Sequence, residues 1–102
     1  MADESQAPFQ VVYSEVIKAL FVALVEKAEE VGEKDYVLDA ARTIDFRLHN
    51  DPRDFGEPLN TLHNAKLEIR HGGEGPLLVT WGVHQEKKLV FVRDYRLLRY
   101  QR

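Results

Sequence analysis

Two stretches of the chain repeat their apolar residues with a helical period. Ile17, Leu20, Phe21, Leu24, Val25, Ala28 and Val31 are spaced by threes and fours. That spacing predicts an amphipathic helix with a wide apolar stripe. Ser14 is placed to cap its start and Gly32 to end it. Val37, Ala40, Ala41, Ile44 and Leu48 repeat in the same way, with Asp35 as the expected cap of a second helix. The two alanines allow close approach, so the pair reads as an antiparallel helical hairpin. Pro52 ends it, because the residue before a proline avoids the helical region. Residues 51–58 then read as a loop, with Leu59 and Leu62 expected to pin its far end to the core.

The remaining pattern is strand-like. Phe9, Val11 and Tyr13 share one face of a short β-branched and aromatic run after Pro8, which fits a strand start. Residues 66–70 alternate polar and apolar, residues 77–83 are nearly all apolar, and residues 88–95 form the last strand. Residues 72–76 and 84–87 are the hairpin connections. Residues 96–102 read as a short helix or a frayed end. The expected fold is α+β: an N-terminal strand, then a two-helix antiparallel hairpin packed on one face of a mainly antiparallel four-stranded sheet. Ile17, Leu24, Ile44, Val79 and Phe91 should share its core. The sequence does not say where the first strand joins the sheet.

At 102 residues the chain fits a single domain, with residues 1–8 as a disordered tail. It contains no cysteine, which excludes a disulfide scaffold, a thiolate nucleophile and a cysteine metal site. His49, His63, His71 and His84 have no metal-ligand spacing, so neither a metal nor another cofactor is expected. The polar, acidic start lacks the features of a secretory signal, and no apolar run is long enough to span a bilayer. A cytoplasmic protein without a membrane partner is the expectation. The net charge of −3 is unevenly placed. Residues 1–60 carry thirteen acidic and six basic side chains, a net −7; residues 61–102 carry four acidic and eight basic, a net +4. A basic C-terminal sheet beside acidic helices is a candidate anion-binding face.

The succession strand, helix, helix, strands resembles the RelE/ParE toxin superfamily over residues 9–97. So does the linker Asp51-Pro52 to Gly56-Glu57-Pro58-Leu59, followed by Arg70 on the next strand. In that family a tyrosine-arginine-x-x-tyrosine pattern commonly follows. Here Leu77-Leu78-Val79-Thr80-Trp81 occupies the place: Trp81 stands for the final aromatic, and the arginine position falls on Leu78. The resemblance implies the toxin-like component of a toxin–antitoxin system. It implies a small antitoxin as partner, and either mRNA on the ribosome or DNA gyrase as target. A second copy of the chain is a further candidate partner. A RelE-like member would be a metal-independent mRNA endoribonuclease. A ParE-like member would inhibit gyrase by binding, and a third alternative is a non-toxic interaction module on the same fold. The unfilled arginine position favours binding over cleavage, and the acidic total charge favours the third alternative.

Cleavage without a metal needs cations around the scissile phosphate and groups that move protons. Catalysis would then fall to Arg70, Arg93 and Tyr95, and RNA binding to Lys66, Trp81, Arg96 and Arg99. Lys66 and Arg70 are expected on one strand face, and Phe91, Arg93 and Tyr95 on another. The structural alternatives are a solvated sheet face for Lys66 and Arg70, a half-buried strand aromatic for Tyr95, and core packing for Trp81. The glycines at 72, 73 and 75 lead into a strand and not a helix, so they form a hairpin loop and no phosphate cradle. Ser14 has no nucleophile-elbow context.

Overall fold

The computed structural model describes residues 8–98. The expectations for residues 1–7 and for Arg99 lie outside that range. The elements are β1 (Gln10–Val12), α1 (Glu15–Glu30), α2 (Lys34–Asn50), β2 (Glu57–Leu62), β3 (Leu67–Glu74), β4 (Leu77–His84) and β5 (Leu89–Leu97). They form an α+β fold of two helices on one five-stranded sheet ordered β1-β5-β4-β3-β2. The sheet is mixed: β1 runs parallel to β5, and the other neighbours are antiparallel.

The sheet therefore has one strand more than the four expected. The extra strand is β2, which takes the last two residues of the segment read as a loop and the four that follow it. It lies at the sheet edge, where Pro58 costs no ladder hydrogen bond, and its Pro58–Asn60 irregularity leaves Leu59 exposed. Leu59 and Leu62 do not pin the linker. Phe55 does, buried in the core. β5 also continues through Leu97, so Arg96 and Leu97, read as the start of a short helix or a frayed end, are strand.

Ser14 caps α1 as expected: its Oγ accepts from the Ile17 N–H at 3.2 Å. Gly32, at φ +76°, ends the helix, with its N–H on the Glu29 carbonyl. α2 starts two residues earlier than expected, with Glu33 and not Asp35 at the cap position and no side-chain cap bond. Both helices pack on the same sheet face, α1 against β5 and α2 against β3, β4 and β1.

The core lies between these layers and holds Ile17, Ile44, Leu48, Val79, Trp81, Val90 and Val92. Leu24 only borders it, and Phe91 lies on the opposite sheet face, so the five-residue core expected from sequence is broken at Phe91. Leu48→Ala, at a site with no exposure, is expected to lower stability by about 2–5 kcal/mol. Leu24→Ala should cost less, because the side chain is already partly in water. Urea unfolding of the two variants checks the order.

Candidate functional site

Three of the seven residues singled out for RNA chemistry lie on the helix-covered side of the sheet and are buried. Arg70 faces the linker. Its guanidinium donates to the Phe55 carbonyl (3.1 Å), the Gly56 carbonyl (3.0 Å) and the Glu68 carboxylate (3.1 Å). Trp81 is wholly buried and donates from Nε1 to the Pro52 carbonyl at 3.2 Å. Its ring stacks on Phe55 at 5.0 Å between centroids, and Arg47 covers Phe55 at 4.8 Å. Arg47 also donates from Nε to both oxygens of Asp51. The linker is thus held at Asp51, Pro52, Phe55 and Gly56 by side chains from α2, β3 and β4. Gly56 sits at φ +67°, where a Cβ would run into the His71 carbonyl, so the linker meets the sheet at a position only glycine fits.

Tyr95 is 5 % exposed and packs on Phe21 at 5.4 Å between centroids. Its hydroxyl lies near Tyr13, whose own hydroxyl donates to Asp45, and His49 lies 3.4 Å from the same carboxylate. Burial, joined by the nearby Asp45 charge, pushes the Tyr95 phenol up to about 12. Burial and the bond to Asp45 push Tyr13 further above the usual tyrosine range. A phenol this reluctant to ionise, and this covered, is poorly matched to proton transfer near neutral pH or to stacking on a base.

Its linkage to stability has a definite sign. The folded pKa lies above the ordinary value of 10, so the contribution is complete below pH 10 and is lost as pH rises towards 12. Tyr95 alone should remove about 2–3 kcal/mol over that window. Tyr95→Phe should flatten this part of the pH profile, measured by urea unfolding across the alkaline range.

Two features of the expected arrangement are corrected. Lys66 is not on β3. It occupies the preceding turn at φ +56°, with Nζ 3.1 Å from both Glu86 oxygens, and shares no strand face with Arg70. The face shared by Phe91, Arg93 and Tyr95 is broken by a β-bulge. Trp81 pairs with Val92 and Thr80 with Asp94, leaving Arg93 as the extra residue. Phe91 and Arg93 therefore stay on the helix-free face while Tyr95 turns inward. Arg96 is exposed on the same outer face, with Nε 3.0 Å from Asp94.

The exposed part of the candidate set is therefore Arg93 and Arg96 on the helix-free face, with Lys66 in a turn. Sequence reading did not assign His84 to a site. It lines a pocket of about 490 Å³ on that face with Val12, Leu67, Phe91 and Arg93. Its position in an expected hairpin turn gave no signal, because the cross-strand register places it beside Leu67. Among the described residues no group of three or more histidine, aspartate or glutamate side chains is placed to hold a metal ion, and no helix is long and apolar enough to cross a membrane. Comparisons with family models, with curated proteins and with solved structures find no match to the chain.

Proposed function

We propose that the chain is a toxin-like component of a toxin–antitoxin pair, built on a RelE/ParE-like fold, and that it acts by binding a protein target and not by cutting RNA. The observation that carries the second half is the commitment of Arg70, Trp81 and Tyr95. All three are buried on the helix side, two of them tied to the linker and the third packed in the core. A phosphate-binding arginine and a base-stacking aromatic must reach their ligand. The first half is supported by the element order and by the Asp51–Pro58 linker, which the chain fixes through five side-chain hydrogen bonds to Asp51, Pro52, Phe55 and Gly56.

The partner expected for such a protein is a small acidic antitoxin. Its segment would lie on the helix-free face, drawn by the +4 of residues 61–102. Segments of this kind order on binding and use charge for steering and register. The test is induced expression with and without the protein from the neighbouring reading frame. Growth arrest relieved by that protein, through a complex that weakens with salt, is the expected result. A supercoiling assay then asks whether gyrase is the target. No arrest on expression alone overturns the toxin reading in favour of an interaction module.

A further inference from the structure

The six arginines among the described residues are not used alike. Arg42 holds Asp39, Arg47 holds Asp51, Arg53 donates to the His84 carbonyl, Arg70 holds Glu68 and the linker, and Arg96 holds Asp94. Arg93 is the exception: among the described residues its guanidinium has neither a hydrogen bond nor an ion pair, and it is exposed. It is also the residue that the β5 bulge inserts, and bulges re-aim a side chain. Here the bulge puts the cation at the side of the 490 Å³ pocket.

The rest of that pocket has complementary chemistry. Val12, Leu67 and Phe91 give it apolar walls and are only half-buried. His84 is held in one tautomer. Its Nδ1 accepts from the backbone N–H groups of Glu86 (3.0 Å) and Lys87 (3.2 Å), which leaves the ring proton on Nε2. One imidazole N–H donor and one unpaired guanidinium fork thus adjoin an apolar hollow whose volume lies in the range of small-molecule sites.

We propose that this pocket binds a small amphipathic anion: an apolar or aromatic body carrying one carboxylate or phosphate group. The body covers Phe91, Leu67 and Val12. The anionic group accepts from the Arg93 guanidinium, which matches the planar geometry of carboxylates and phosphates, and from His84 Nε2. A cation of the same shape is repelled by Arg93, and a neutral analogue leaves the fork without its acceptor. The inference goes beyond the toxin-like reading and does not depend on it, because it rests on the bulge, the unpaired arginine and the pocket alone.

Nuclear magnetic resonance titration of the full chain with 4-phenylbutyrate, phenyl phosphate and the neutral 4-phenylbutyramide tests it. Saturable shifts centred on Val12, Leu67, His84, Phe91 and Arg93 are expected for one or both anions, and the tighter of the two identifies the preferred head group. The amide should bind about tenfold or more weakly, the value of a hydrogen bond to a charged group. Arg93→Gln should weaken the anions by the same factor and leave the amide unchanged. Arg93→Lys, which keeps the charge without the fork, should fall between. Shifts scattered over surface cations, equal binding of amide and acid, or undiminished binding by folded Arg93→Gln protein each overturn the site.

Discussion

Trp81→Ala is expected to destabilise the protein by about 3–5 kcal/mol, the range for truncating a large buried aromatic. The side chain has no exposure, stacks on Phe55 and supplies the donor for the Pro52 carbonyl, so one substitution opens a cavity and releases the linker. Domains of this size are stable by only about 5–15 kcal/mol, so the variant should be close to unfolded at physiological temperature. Trp81→Phe separates the two contributions. It keeps an aromatic surface against Phe55 and leaves the Pro52 carbonyl without its donor, at a cost of about 1–3 kcal/mol. Denaturant unfolding of both variants measures the difference. Loss of RNA affinity with unchanged stability would instead place Trp81 at a nucleic-acid surface.

The second large effect is expected at Arg70. Arg70→Ala leaves the Phe55 and Gly56 carbonyls and the half-buried Glu68 carboxylate without their guanidinium, and at about 1–3 kcal/mol for each carbonyl left unpaired the loss is about 2–6 kcal/mol. Arg70→Lys should recover only part of it. A lysine ammonium is a compact charge that does not reproduce a fork spanning three acceptors. Hydrogen exchange should show the loss first at residues 51–57. A folded, fully stable Arg70→Ala protein would contradict the clamp.

These two residues show where the sequence was legible and where it was not. The helices could be read because their period, Ser14, Gly32 and Pro52 all point the same way. The faces of the strands could not. Alternation in β3 separates Leu67 and Ile69 from Glu68 and Arg70, but does not say which pair meets the helices. The expected choice, apolar inward, is reversed. Arg70 faces the linker, whose backbone carbonyls need donors. Ile69 is buried on the other face over Gly82, where the absent side chain leaves it room.

The bulge at Arg93 shifted the alternation of β5 by one residue, which sent Phe91 outward and Tyr95 inward. β2 escaped notice because Glu57, Pro58 and Asn60 give it no strand pattern. Its place comes from pairing with β3, a non-local contact. Phe55 gave no periodic signal either, standing alone in the linker, and its role emerges only from the stack with Trp81 and Arg47.

The decisive measurement is primer extension on cellular messages after induction of the wild-type chain without the proposed antitoxin, with Arg70→Ala and Arg93→Gln run in parallel and each checked for folding. Growth arrest with messages intact is the expected result, since Arg70, Trp81 and Tyr95 are locked into the linker and the core. Site-specific cuts by the wild-type protein that vanish in folded Arg70→Ala protein would contradict it.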